Sequence, residues 1–202
     1  MTNNIDRAAD VIAPRINRNL AGQNQNMGSK QRETRWLTPA PIVEALGHFD
    51  LDPCGAPGHH LAEDTYLIDN GQDGMELPWY GRVWLNPPYG NLTAPFLGKL
   101  ADHGQGTALV FARTETRMFF DHVWPRATAI LFIKGRLTFL DAEKNKAAAN
   151  AGAPSCLVAY GEYDAEMLAK SGLGRFVRLM PREEADSPFP ANHAEEGDHA
   201  DA

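Results

Sequence analysis

The chain has 202 residues, 43% hydrophobic and 22% charged, with a net charge of −7 and two cysteines, Cys54 and Cys156. This composition suits one domain with a sizeable core and excludes collagen, a coiled coil and a wholly disordered chain. No apolar run approaches the roughly 18 residues that span a bilayer. The opening MTNNIDRAAD has no apolar signal stretch, and two cysteines make no disulfide framework, so a cytoplasmic protein in a reducing compartment is expected.

Residues 1–31 are rich in Asn, Gln, Arg and Gly, which predicts a flexible basic arm or a plain solvated terminus. The folded domain is expected over residues 32–182. It opens with Trp36-Leu37-Thr38-Pro39, where Thr38 suits a helix N-cap and Pro39 the first helical position. That helix carries Ile42, Val43, Ala45 and Leu46 and ends near Gly47. His48 to Asp52 predicts a short strand with Phe49 and Leu51 inward, broken by the loop Pro53-Cys54-Gly55-Ala56-Pro57-Gly58. Thr65 to Leu67 predicts a second short strand, Asp69 to Gly74 a turn, residues 81–85 a strand and residues 92–103 a helix. The runs 107–111, 129–133 and 155–160 are almost continuously apolar, the pattern of strands buried on both faces. Residues 113–124 predict a loop entering a helix, and Arg136 to Phe139 alternates like one arm of a hairpin. Strands alternating with helices predict an α/β fold whose sheet is mixed at one edge.

The charge is unevenly placed. Residues 183–202 hold seven carboxylates and no Lys or Arg, which predicts a disordered acidic tail and leaves the rest of the chain neutral. Residues 1–35 carry six basic side chains against three acidic ones, and residues 113–146 carry seven against four. An acidic isoelectric point therefore does not exclude a nucleic-acid partner, because a local basic surface still meets phosphates.

The segment with the clearest chemistry is Asn86-Pro87-Pro88-Tyr89, directly after the strand Val83-Trp84-Leu85. Two successive prolines continue neither strand nor helix and stiffen the turn. A rigid turn at the end of a strand in an open α/β sheet is where such folds bind ligands. Asn86 offers an amide oxygen, and Tyr89 offers a flat ring that can stack on a base. The plain alternative is a proline-rich connection without chemistry.

Seven pieces stand in order: WLTP at 36–39, FDLDPCG at 49–55, DGMELPW at 73–79, VWLNPPYG at 83–90, ARTETRMFF at 112–120, FIKGRLTF at 132–139 and APSCLVAY at 153–160. Together they resemble the phage-type DNA N6-adenine methyltransferase family, whose members are similar to Dam. The resemblance spans most of the core and neither terminus. It implies an abbreviated Rossmann-like, S-adenosylmethionine-dependent methyltransferase fold, a mixed sheet with helices on both faces. It also implies double-stranded DNA as partner, a phage-encoded protein in a bacterial host, and a possible link to restriction-modification.

The resemblance assigns roles residue by residue. The target adenine leaves the stack, since a stacked amino group is unreachable. The Asn86 side chain accepts from its exocyclic amino group, the Pro87 carbonyl accepts the second hydrogen, Pro88 completes the turn and Tyr89 stacks on the base. Thr38 and Pro39 match the edge of the cofactor pocket, or simply cap a helix. Asp52, Pro53, Cys54 and Gly55 match the cofactor turn, in which Asp52 is the acidic position and Gly55 admits the methionine part. Asp73 accepts from the adenine or ribose of the cofactor, or is a turn aspartate.

Only 33 residues separate Asp52 from Asn86, too few for three complete β-α units, so the cofactor half is expected to be abbreviated. Base contacts then fall to later segments. Arg113, Arg117, Lys134 and Arg136 are the candidates for phosphate or guanine, each otherwise a solvated charge. His59 and His60 with Cys54 and His48 do not have the spacing of a zinc site, so no metal is expected. Cys156 lies in an apolar strand and suits the core. Three competing readings remain at this level: a protein glutamine N5-methyltransferase, which also uses NPPY, a cytosine N4 enzyme, and a non-catalytic DNA-binding protein of the same fold.

Overall fold

The computed structural model describes residues 36–141 and 147–180. The basic arm at 1–31 and the acidic tail at 183–202 lie outside the described residues. A seven-stranded sheet carries the core, in the order β10-β6-β9-β5-β4-β2-β3. Its strands are β2 (Leu51–Asp52), β3 (Asp64–Thr65), β4 (Val83–Leu85), β5 (Gly106–Phe111), β6 (Ala129–Ile133), β9 (Ser155–Tyr160) and β10 (Gly174–Arg178). β3, β2, β4 and β5 run parallel. β9 lies antiparallel between β5 and β6, and β10 pairs antiparallel with the far side of β6. The sheet is therefore mixed at one side, as its sequence pattern predicts.

The apolar runs become strands because both faces are covered. Val83, Leu85, Ala108, Val110, Ile130, Cys156 and Val158 pack in a cluster with Phe96, Leu97 and Leu100 of helix α2 (Thr93–His103). The alternate residues Trp84, Leu109, Leu131, Leu157 and Ala159 pack with Ile42 and Val43 of α1 (Ala40–Glu44) and with Ala165 and Leu168 of α3 (Glu162–Lys170). Helices thus cover both faces, in the expected α/β arrangement. A second, three-stranded sheet orders β1 (Trp36–Leu37), β7 (Thr138–Asp141) and β8 (Ala147–Asn150), all antiparallel. The predicted hairpin arm at 136–139 is thus β7, displaced by two residues. Among the described residues no helix is long and apolar enough to cross a membrane.

A buried polar lock fastens α3 to the amino ends of β4 and β5. The Arg82 Nε donates to Asp164 Oδ1 at 3.0 Å, and Thr107 Oγ1 donates to the same oxygen at 2.8 Å. Arg82 Nη1 donates to the carbonyls of Leu46 at 2.9 Å and His48 at 2.7 Å, and its guanidinium lies 3.9 Å over the Phe49 ring. Burial pushes the Asp164 carboxyl upward, opposed by the Arg82 charge and by hydrogen bonds from Thr107 and Arg82.

Three local expectations need correction. α1 starts at Ala40 and ends at Glu44, so it is shorter than predicted; Pro39 sits at its cap position with an extended ψ of 125°, and Thr38 makes no cap bond. The reason is a second proline: Pro41 takes the first-turn place, where an N–H is dispensable, and pushes the helix start forward. The helix predicted to follow a loop within 113–124 is present, but Phe119–Val123 is wound as a π-type turn and not as an α-helix. Finally, α3, β8 and β10 fall in segments where the sequence pattern predicts no element.

Between β2 and β4 the described chain holds only β3 and a single 3₁₀ turn, Ile68–Asn70, so this half is abbreviated as its length requires. The chain leaves β2 outward to β3 and returns to β4 on the other side of β2. The carboxyl ends of β2 and β4 therefore flank the point where strand order reverses, which is where open α/β sheets bind ligands.

Candidate active site

Two turns meet at that reversal point. Asp52 ends β2, and the residue after β4 is Asn86. Asp52 is buried and its Oδ1 accepts from the Cys54 amide at 2.9 Å, which shapes the turn 52–55. Burial raises the Asp52 carboxyl to about 7 despite that bond. The Cys54 thiol is held well above its usual range, by burial first and then by the carboxylates of Asp52 and Asp73. It is therefore a neutral thiol and no nucleophile.

The segment after the 3₁₀ turn backs onto this turn. Asp73 Oδ1 accepts from the Met75 amide at 2.8 Å, so one oxygen has the turn role already weighed for it. A Cβ on Gly74 would lie 2.1 Å from the Pro53 carbonyl oxygen, so only glycine permits this contact. Likewise a Cβ on Gly55 would lie 2.0 Å from Thr65 Cγ2. The hydroxyls of Thr38 and Thr65 are buried without a hydrogen-bond partner. Thr38 also bonds the His59 ring through its backbone, which partly offsets the downward push of burial on that imidazole. The carboxylates of Asp52 and Asp73 and the unpartnered hydroxyls of Thr38 and Thr65 are the donor and acceptor chemistry that fits a ligand rich in hydroxyls and amines.

In the turn after β4, Pro87 is buried and Pro88 exposed, and the Pro88 carbonyl accepts from Thr93 Oγ1 at 2.7 Å. This bond joins the turn to the start of α2. Tyr89 is half-buried, stacked on Phe111 with ring centroids 4.4 Å apart, and meets Phe139 edge-on at 6.3 Å. Its hydroxyl is buried without a partner, and burial raises its pKa. One face of the ring is thus fixed by Phe111 of β5, a contact the sequence does not reveal.

The basic candidates sort by pairing. Among the eight exposed Lys and Arg of the described residues, Arg117, Arg126, Lys170 and Arg178 pair with Asp121, Asp102, Glu166 and Glu162. Arg113, Lys134, Arg136 and Arg175 make no ion pair among the described residues. Arg113 follows β5, Lys134 and Arg136 follow β6, and Arg175 is the second residue of β10, opposite Phe132. All four lie at the carboxyl edge that bears Asp52 and Asn86. Arg136 Nη1 also donates to the Ala151 carbonyl at 3.2 Å. Arg175 and Lys99, described below, escape sequence reasoning; Arg175 sits in a strand the pattern does not predict.

The histidines named for zinc do not gather with Cys54. Among the described residues the one cluster of potential metal donors is His48, Asp50 and Glu63, where His48 Nε2 lies 3.3 Å from each carboxylate. His48 and Asp50 precede β2 and Glu63 precedes β3, and none of the three is buried.

No match to the chain was found among curated proteins or among solved structures. Residues 25–175, three quarters of the chain, match the family described as DNA N-6-adenine-methyltransferase (Dam). The match takes in every element from β1 to the start of β10 and both turns of the site, and the chain belongs to this DNA N-6-adenine-methyltransferase (Dam) family.

Proposed function

We propose that this protein methylates the N6 amino group of adenine in double-stranded DNA, using S-adenosylmethionine on an abbreviated Rossmann-like sheet. The observation that carries this reading is the adjacency of two turns at the strand-order reversal, Asp52-Pro53-Cys54-Gly55 after β2 and Asn86-Pro87-Pro88-Tyr89 after β4. Membership of the Dam family supports it.

When bound, S-adenosylmethionine supplies a methyl carbon made electrophilic by its sulfonium. Asp52 and Asp73 would accept from its hydroxyl and amino groups and Thr38 and Pro39 would line the pocket edge, while the missing side chain of Gly55 lets the turn pack on Thr65. Pro53 and Cys54 keep the turn's shape. On the other side Asn86 accepts one hydrogen of N6 through its side-chain oxygen, and the Pro87 carbonyl accepts the other. These two bonds would draw the N6 lone pair out of conjugation and aim it at the methyl carbon; as the N6–C bond formed in line, the S–C bond would break with its electron pair returning to sulfur, S-adenosylhomocysteine would leave, and N6 would lose one proton to water. Pro88 fixes the turn, and a flipped base adds to the Tyr89–Phe111 stack. Positioning and fixed acceptors supply the catalysis, and no covalent nucleophile is needed. Turning the base out of the duplex costs a few kcal/mol. Arg113, Lys134, Arg136 and Arg175 hold the phosphates alongside, and Arg117 joins them by giving up its exposed surface pair with Asp121.

The test is methyl-labelled S-adenosylmethionine with unmethylated duplex DNA, followed by digestion to nucleosides. The labelled deoxynucleoside of N6-methyladenine is expected. Labelled N4-methylcytosine, or label transferred only to a glutamine peptide, would replace the substrate assignment. Duplex binding with no transfer to any substrate would leave a non-catalytic DNA-binding protein.

A further inference from the structure

Lys99 lies on α2 and reaches into the turn that follows the 3₁₀ segment. Its Nζ donates to three backbone carbonyls, Gly74 at 3.0 Å, Met75 at 2.8 Å and Leu77 at 2.7 Å. All three N–H bonds of the ammonium are thereby used. The ammonium also lies 5.1 Å from the Trp79 ring, and Trp79 Nε1 donates to the Gly74 carbonyl at 2.7 Å. Trp79 in turn stacks on Phe96 of α2 at 6.3 Å. The side chain is half-buried, so its ammonium keeps the cost of partly leaving water small only by finding partners for its donors, and a plain packing contact would not need a charge here. Burial does pull the Lys99 ammonium below its usual range, opposed by the Asp73 carboxylate.

The placement explains the cost. α2 begins at Thr93, bonded to the Pro88 carbonyl, and Lys99 stands six residues further on, about 9 Å along the helix axis. One rigid helix thus holds the Asn86–Tyr89 turn at its start and the Asp73–Leu77 turn at its middle. Gly74, pressed on the Pro53 carbonyl, passes that constraint to the Asp52 turn.

We infer that Lys99 is a positioning residue for the methyl-donor side, clamping residues 73–77 against the Asp52 turn and fixing their distance from Asn86; this rests on the function proposed above. Lys99 touches neither reacting atom. Its role is to keep Asp73 and the Asp52 turn at the spacing the donor needs.

The experiment compares wild type, Lys99→Met, Lys99→Arg and Trp79→Phe in steady-state methyl transfer, with KM for S-adenosylmethionine and for DNA measured separately, well below each protein's melting temperature. Lys99→Met keeps the stem and removes all three donors. Its KM for S-adenosylmethionine should rise about tenfold or more, with KM for DNA within about threefold of wild type. Lys99→Arg keeps the charge but cannot converge on three carbonyls from one nitrogen, and should raise the same constant less. Trp79→Phe removes the second donor to Gly74 and should also raise it less. If Lys99→Met does not fold, the other two variants carry the test alone. A lowered melting temperature with an unchanged KM for S-adenosylmethionine would make Lys99 a stability residue and overturn the inference. Equal losses in both KM values would also overturn it. Wild type inactive on DNA and without S-adenosylmethionine affinity would instead refute the function proposed above.

Discussion

Replacing Asp52 by Asn should change how stability responds to pH. The carboxyl is 3% exposed, and burial lifts it from 3.8 in the free residue to about 7 in the fold, against one opposing bond from the Cys54 amide. The folded protein therefore holds a proton that the unfolded chain releases above 3.8. The group's contribution is fully present below that value and is lost as pH rises through about 7. Each pH unit inside the window removes about 1.4 kcal/mol. Between pH 5 and pH 8 about two such units fall, so wild type should lose about 3 kcal/mol relative to Asp52→Asn. The assay is urea unfolding of both proteins at the two pH values, read as the difference between them so that all other carboxylates cancel. The Asn side chain keeps an acceptor for the Cys54 amide, so the variant folds with the same turn. A difference constant within about 0.5 kcal/mol across that range would refute desolvation as the dominant influence on Asp52. The same reasoning makes donor binding pH-dependent. Hydroxyls that donate to the ionised carboxylate should release a proton near neutrality, visible by calorimetry in two buffers of different ionisation enthalpy.

Removing Asp164 by Asp164→Ala strands the Arg82 guanidinium in the core and should cost about 3–5 kcal/mol in urea unfolding; a loss below about 1 kcal/mol would show that the lock does not fasten α3. Gly74→Ala drives a Cβ onto the Pro53 carbonyl and should weaken S-adenosylmethionine binding while costing about 1–3 kcal/mol of stability; unchanged affinity by calorimetry would separate the two turns functionally. Arg136→Ala and Arg175→Ala should each lower the salt slope of DNA binding by about one, while Arg117→Ala, whose arginine first gives up Asp121, should lower it less. Equal slopes for all three variants would remove the pairing argument for the DNA face.

The two turns of the candidate site are legible in the sequence where short-range chemistry shapes them. Asn86-Pro87-Pro88-Tyr89 and the Asp52 turn are contiguous in sequence, and the apolar runs before and after them place both at strand ends. The buried strands were legible because β5, β6 and β9 are covered on both faces and so lack polar alternation. What stayed hidden depends on contacts between distant segments. Phe111 gives no local sign that it will stack on Tyr89, 22 positions earlier. Lys99 looks like any charged position of an amphipathic helix until the 73–77 carbonyls are in place. β10 has exposed residues at four of its five positions and the look of a loop, and is a strand only because β6 supplies its hydrogen bonds. The start of α1 misled because two prolines compete for one favourable place and tertiary context chose Pro41.

The most direct test of the catalytic claim is the single-turnover rate of methyl transfer by Asn86→Ala, measured with the affinities for S-adenosylmethionine and duplex DNA. An acceptor that acts on developing charge at N6 contributes to the transition state and little to ground-state binding. A rate lower by about a hundredfold or more is expected, with both affinities within a few-fold of wild type. A variant that transfers methyl to adenine at the wild-type rate would contradict it, and Asn86 would then be only part of a stiff turn.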